Sequence, residues 1–201
     1  MTRRGRFLVV EGIDGCGKST QVARLAGLRG AVATLEPGGT ELGRSLRRLI
    51  LSEGEPPAPV TEAFLLAADR AQHVAGVIEP TLRAGRDVVS DRYAASTIAY
   101  QGFGRGLERS ELETLIAIAT GGLRPDVTIL LDLPVSAAGA RRGGSPDRME
   151  SMATDFFERV RSGYLALAQE RPEEWVVLDA TASLSVVSAA IDEALEERGL
   201  S

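Results

Sequence analysis

At 201 residues and 44% hydrophobic content, the chain has enough apolar material for one sizeable core, and residues 1–201 are read as a single domain. A net charge of −5 argues against nucleic acid or an anionic membrane as partner, and no apolar run is long enough to cross a bilayer. The single cysteine, Cys16, excludes an internal disulfide framework; with no leader-like segment before the first strand, the expected location is the cytoplasm.

Phe7-Leu8-Val9-Val10 is a short apolar run with β-branched residues, the pattern of a buried strand. It runs into Glu11-Gly12-Ile13-Asp14-Gly15-Cys16-Gly17-Lys18-Ser19-Thr20, of the form G-x-x-x-x-G-K-S. Val22, Leu25, Ala26 and Leu28 are then spaced for one face of a helix. Strand, glycine-rich loop and helix in that order are what a phosphate-binding P-loop requires. The glycines let successive backbone N–H groups turn toward phosphate, and the helix N-terminus adds partial positive charge. Lys18 is expected to reach the outer phosphates and the Ser19 hydroxyl to ligate Mg²⁺. Of the 23 basic residues Lys18 is the only lysine, so a composition that otherwise uses arginine keeps a flexible point charge here. Cys16 reads as a small filler within the loop.

Ala31 to Leu35 reads as a second strand, Glu36-Pro37-Gly38-Gly39-Thr40 as a loop, and Leu42, Leu46, Leu49 and Ile50 as a helical face. Residues 53–59, rich in proline, form a connection. A long helix is predicted from Thr61 to Ala84, with Val74, Val77, Ile78 and Leu82 on one stripe and a kink at Pro80. Asp87 to Ser90 is a third strand ending at Asp91-Arg92-Tyr93, with a helix after it through Tyr100. Ser110 with Glu113 matches a capping box for a helix through Ala119. Val127 to Leu131 is a fourth strand ending at Asp132. Ala137 to Arg142 is a short helix, and 143–146 a flexible loop. Phe156, Val160, Tyr164 and Leu167 mark a helix stopped by Pro172. Trp175 to Leu178 is the fifth strand, and Leu184, Val187, Ile191 and Leu195 mark the last helix.

Strands alternating with helices predict an α/β fold with a parallel sheet covered on both faces. Ligands in such sheets bind beyond the C-terminal strand ends. The polar clusters at 12–20, 36–40, 91–101 and 132 all fall there. A GTPase needs an N-K-x-D motif, and the chain contains no asparagine. A P-loop ATPase switch remains open as an alternative, as does a kinase for any nucleoside monophosphate. A small-molecule kinase fits best, since it needs a second pocket and mobile arginines for the transferred group.

The segments Glu11–Thr20, Glu36–Thr40, Ala67–His73, Asp91–Tyr93, Ser96–Gly102 and Asp147–Glu150 together resemble the bacterial thymidylate kinase family over nearly the whole chain. The resemblance implies a P-loop kinase fold with a five-stranded parallel sheet, transfer of the ATP γ-phosphoryl to dTMP with Mg²⁺, and a homodimer. It implies ATP contacts from Gly12, Ile13, Asp14, Gly15, Cys16, Gly17, Lys18, Ser19, Thr20 and Arg148. It implies dTMP contacts from Asp14, Glu36, Leu66, Arg70, Arg92, Ser96, Tyr100 and Gln101. Arg70 is expected at the thymine edge, Asp14 at the 3′-hydroxyl and Tyr100 against the deoxyribose. Asp91, at a strand end beside the P-loop, suits Mg²⁺ together with Ser19, and Arg92 can grip the acceptor phosphate as a fork. The solitary His73 reads as structural. Gly15 stands where some members carry a P-loop arginine, so a lid at about 141–150 is expected to deliver Arg142 or Arg141, with Lys18, Asp91 and Arg92 completing the catalytic set. Two positions depart from the family pattern. Leu35 replaces an arginine, so positive charge near the acceptor is missing or comes from elsewhere. Leu66 replaces a stacking phenylalanine, and Phe64, two residues earlier and about 200° around the helix, points away.

Overall fold

The computed structural model describes residues 3–51, 55–141 and 152–200. Five strands, β1 (Phe7–Glu11), β2 (Val32–Leu35), β3 (Val88–Asp91), β4 (Val127–Asp132) and β5 (Trp175–Asp179), form one parallel sheet in the order β2-β3-β1-β4-β5. β1 is central and buried along its whole length. Its alternate side chains feed two cores: Leu8 and Val10 join one, Phe7 and Val9 the other. A strand covered on both faces needs an unbroken apolar run, which is what Phe7 to Val10 supply.

The sheet order reverses at β1, with β3 on one side and β4 on the other. At such a reversal the flanking crossovers diverge and leave a crevice above the C-terminal strand ends. Val10 pairs with Asp91 and Glu11 with Leu130, so the loop after β1 leaves the sheet directly beside Asp91.

The helices of the described residues are α1 (Lys18–Arg29), α2 (Glu41–Leu51), α3 (Pro59–His73), α4 (Glu79–Arg83), α5 (Ala94–Thr97), α6 (Arg109–Thr120), α7 (Val135–Arg141), α8 (Thr154–Glu170) and α9 (Leu184–Glu197), of which α1, α2, α3 and α5 border the crevice. Between α3 and α4 the chain takes one wide π-turn, Val74–Ile78, in which the Glu79 amide donates back to the Val74 carbonyl. Pro80, next in line, has no N–H and a ring that crowds the carbonyl four residues earlier. The predicted kink is therefore a π-segment placed just ahead of the proline. The helix also starts earlier than Thr61, with Pro59 in the first turn, where a missing N–H costs nothing. A second π-segment, Ile98–Gly104, carries the helix of α5 beyond Tyr100.

Other expectations require correction. The capping box does not form: α6 begins at Arg109 with Glu108 as its N-cap and no side-chain cap bond. Glu113 instead pairs with Arg109 at 2.7 Å. The predicted apolar face of α2 is only half right: Ile50 is buried and Leu46 half-buried, but Leu42 and Leu49 are exposed and Gly43 is buried, so the inward face is rotated toward Gly43. Gly43 decides this, because a Cβ there would sit 2.2 Å from the Asp69 carboxylate, so only glycine allows α2 to lie so close to α3. Leu28 and Leu184 are likewise exposed at the helix margins rather than in the cores.

Candidate functional site: two clefts that meet at one arginine

The P-loop follows β1 as the sequence requires. Gly12 sits at φ +142°, and a Cβ on it would meet the Leu131 carbonyl and the Cys16 sulfur within 2.7 Å. Gly15 sits at φ +84°, a left-handed conformation that disfavours any residue with a Cβ. Cys16 is buried as filler. The amides of Lys18, Ser19 and Thr20 open α1 and lack intrahelical partners. Lys18 is folded back over the loop: its Nζ donates to the Ile13 carbonyl at 2.9 Å and lies 3.9 Å from Asp14 Oδ1. A bound phosphate would replace that carbonyl with stronger, charged acceptors. The Ser19 hydroxyl donates to Asp91 Oδ2 at 2.7 Å, which brings together two hard oxygens, one from the start of α1 and one from the end of β3.

This donor cleft is lined by Asp14, Gly15, Gly17, Lys18, Ser19, Thr20 and Asp91, with Leu35, Glu36, Arg47 and Arg92 at its far side. A second cleft adjoins it, lined by residues that include Leu66, Asp69, Arg70, Ser96, Thr97, Tyr100 and Gln101. The two share Asp14, Glu36, Arg47 and Arg92.

Arg92 is the hinge between them. It is the one non-glycine at positive φ (+72°) among the described residues. Such a conformation is uncommon for a residue with a Cβ and marks functional positions. It is held from both ends: the backbone amide donates to the Val10 carbonyl, and the Ser90 hydroxyl donates to the Arg92 carbonyl. The guanidinium donates to Asp14 Oδ1 at 2.6 Å, the Gly12 carbonyl at 3.0 Å and the hydroxyls of Tyr100 and Tyr164 at 3.1 Å. Burial alone would raise the Asp14 carboxyl, but the Arg92 and Lys18 charges outweigh it and hold Asp14 down at about 2. Tyr100 goes the other way: burial pushes its phenol well above the ordinary range. It therefore stays a neutral donor, 3.3 Å from Asp14 Oδ2.

Beneath Arg92 lies Glu11, fully buried. Its carboxylate accepts from the amides of Tyr93 and Ser96 and from the hydroxyls of Ser96 and Tyr164. It thus caps the short helix α5 from a neighbouring strand and fixes Ser96 and Tyr164 around Arg92. Burial is the dominant influence on Glu11 and pushes its carboxyl above the ordinary value. Glu11 and Tyr164 were missed from sequence. The only signal for Glu11 was a carboxylate at the inner end of an apolar strand.

The second cleft is built on charge as well. Arg70 is only 2% exposed, so it is no solvated helix charge. Its Nε donates to Glu36 Oε2 at 2.8 Å, Nη1 to Thr97 at 2.9 Å and Nη2 to the Tyr93 carbonyl at 2.9 Å. The other oxygen of Glu36 meets His73 Nδ1 at 2.9 Å, while His73 Nε2 lies 2.6 Å from the Thr34 hydroxyl. Glu36 therefore orients Arg70, and His73 is locked in place as a structural residue. Leu66 lines this cleft, whereas Phe64 is 59% exposed and turned from it. The positive charge that Leu35 lacks comes from Arg47 of α2, which donates to the Pro37 carbonyl and lines both clefts. Its signal, a position four residues after Gly43 on the inward face, was hidden by the misjudged face of α2. The lid segment, with Arg142 and Arg148 and the side chain of Arg141, lies outside the described residues.

A family model described as Thymidylate kinase matches residues 10–191. The chain belongs to the thymidylate kinase family. It is 50% identical to a thymidylate kinase of Synechococcus sp. (strain CC9605), over 96% of this chain and 98% of that protein. It is 48% identical to one from Desulforudis audaxviator, over 93% of this chain and 88% of that one. The solved thymidylate kinase of Ehrlichia chaffeensis superposes with a TM-score of 0.77 at 30% identity, covering 96% of this chain and 99% of that one. The shared fold is the P-loop kinase fold with its five-stranded parallel sheet.

Proposed function

We propose that this protein transfers the γ-phosphoryl group of ATP to dTMP, giving dTDP and ADP, with Mg²⁺ as cofactor. The observation that carries the reading is the junction itself: a P-loop cleft and a base-sized cleft share Arg92 and Asp14. A donor and an acceptor phosphate placed in them would face each other across the Arg92 guanidinium, the in-line arrangement phosphoryl transfer needs.

The residues divide the work. The P-loop amides and Lys18 hold the donor phosphates. Ser19 and Asp91 would hold Mg²⁺ or its waters, and the ion supplies neutralisation of charge on the bridging oxygens. Arg92 grips the acceptor phosphate and spreads the charge that develops on transfer. Asp14, ionised throughout the physiological range, accepts from the 3′-hydroxyl. Tyr100 closes the sugar end of the cleft, which favours deoxyribose. Arg70 faces the base. Gln101 Oε1, a buried acceptor with no protein partner, accepts from N3–H of the base. No general base is required, because a phosphate monoester is already largely dianionic at neutral pH. His73, tied to Glu36 and Thr34, is not available for one.

The homodimer is proposed on a separate observation. Leu42, Leu49, Val60 and Phe64 are exposed on the adjoining helices α2 and α3, and Ile118 on α6 beside them. An apolar surface of that kind suits a second copy, and Phe64→Asp should then yield monomers by light scattering. No helix of the described residues is long and apolar enough to cross a membrane, and the cytoplasm, where nucleotides are made, is the proposed location.

A coupled ADP-release assay against dTMP, dUMP, dGMP, CMP, UMP and AMP tests the activity. Turnover of another monophosphate with none of dTMP would overturn it.

A further inference from the structure

We propose that Glu62 is a specificity-determining positioning residue: it fixes which way the Gln101 amide faces and so decides which bases the cleft accepts. This rests on the reading that Gln101 meets the base. Glu62 lies on α3, fully buried, and lines the same cleft as Leu66, Asp69 and Gln101. Gln101 Nε2 donates to Glu62 Oε1 at 2.9 Å. Arg105, four residues on from Gln101, approaches the same carboxylate with Nη2 3.2 Å from Oε2, while its guanidinium sits over the Phe156 ring. Both oxygens of Glu62 thus accept from N–H donors, Oε1 from Gln101 and Oε2 from Arg105.

An ionised carboxylate can only accept hydrogen bonds. An amide has one donor end and one acceptor end, so the end that faces Glu62 must be the NH₂ group. The carbonyl end is then forced the other way. Gln101 is 1% exposed, and its Oε1 has no partner among the described residues. A buried acceptor without a donor is costly until a ligand supplies one. Thymine and uracil carry N–H at N3, whereas cytosine carries a bare nitrogen there. With Oε1 as the end left for the base, the cleft satisfies the first two and sets two lone pairs against each other with the third. Were the amide reversed, the preference would reverse with it. Gln101 makes the contact; Glu62, which the base need not touch, chooses its sign.

Glu62→Gln keeps the size and reach of the side chain but can either accept from Gln101 or donate to it, so the Gln101 amide is free to turn. Steady-state kinetics with ATP and dTMP, dUMP or dCMP read the result. The ratio of kcat/KM for dTMP over dCMP should fall about tenfold, the scale of one buried hydrogen bond that no longer distinguishes donor from acceptor. The ratio for dTMP over dUMP, which reads only the 5-methyl group, should stay as in the parent. Equal slowing with all three substrates would mean that Glu62 merely holds the helices together, and the proposal would be wrong. Gln101→Met separates this proposal from the wider reading: if its kcat/KM for dTMP and its dTMP-to-dCMP ratio match the parent, Gln101 does not meet the base and the role of Glu62 falls, while dTMP kinase activity itself stands. Should Glu62→Gln not fold, a crystal structure of the parent with dTMP decides. Gln101 bonded to both Glu62 and N3 supports the proposal; Gln101 bonded to N3 but detached from Glu62 overturns it.

Discussion

The two clefts are made in different ways. The proposed donor cleft is largely one uninterrupted stretch, Gly12 to Thr20, which offers backbone amides and a single lysine and in which Ser19 and Thr20 stand exposed. The proposed acceptor cleft is gathered from the loops after β1, β2 and β3, from α2, α3 and α5 and from the π-segment beyond α5, and its charged groups bind one another before any ligand arrives. A site of the first kind can lose a side chain and remain folded. In the second kind, each side chain removed leaves a buried charge behind, so activity and stability should change together.

The sharpest way to test that contrast is a pair of substitutions. Lys18→Ala is expected to lower kcat by about 10³, on the scale of losing a preorganised charge in a transition state, with little change in Tm. Arg92→Ala should lower kcat/KM by at least about 10² and also cost roughly 3 kcal/mol in chemical denaturation, because Asp14 loses its buried partner. A Tm for Arg92→Ala equal to that of the parent would show the acceptor network to be as dispensable to the fold as the P-loop lysine.

A smaller effect comes from Asp69. Burial first, and the nearby Glu36 second, push its carboxyl up to about 6 from an ordinary 3.8. One oxygen accepts from the Gly38 amide at 3.0 Å and the other has no partner. A group whose pKa is raised on folding stabilises while protonated, and that contribution fades as pH climbs from about 4 through 6. Asp69→Asn is neutral at every pH. Its stability relative to the parent should therefore rise by about 2–3 kcal/mol across that interval and level off above it. Urea melts at pH 4, 5, 6 and 7.5 check this; a difference that stays flat would mean that folding leaves the Asp69 carboxyl at its ordinary value.

Leu66→Phe carries the smallest expected change. Stacking on a base is worth roughly 1–3 kcal/mol, and leucine already recovers part of that. KM for dTMP should fall about fivefold, and an unchanged KM would show the cleft to be fitted to leucine.

The P-loop and its flanking elements were legible because their information is local. Glycine positions, the lysine, the apolar strand before and the helix after all lie within about one supersecondary unit. Alternation of strand and helix likewise foretold the parallel sheet and which strand ends would hold the site. The π-turn before Pro80 was half legible: a disruption was expected from the missing N–H, but the way the backbone absorbs it depends on neighbouring packing. The face of α2 was partly misread because spacing counts leucines, whereas the close approach of Gly43 to Asp69 rotated the buried side away from Leu42 and Leu49 while keeping Ile50 in it. That single misreading also hid Arg47.

By itself, the amino-acid sequence determined the α/β class, the phosphate loop with Lys18 and Ser19, and the direction in which Phe64 points, since each follows from periodicity or backbone chemistry within a short window. Only the tertiary structure decided that Glu11 caps α5 from across the sheet, that Glu36 serves Arg70 and His73, and that Glu62 faces the Gln101 amide. Those partners lie between 34 and 85 residues apart. A buried charge can accept any donor that the fold brings within 3 Å, and nothing in the local sequence says which one that will be.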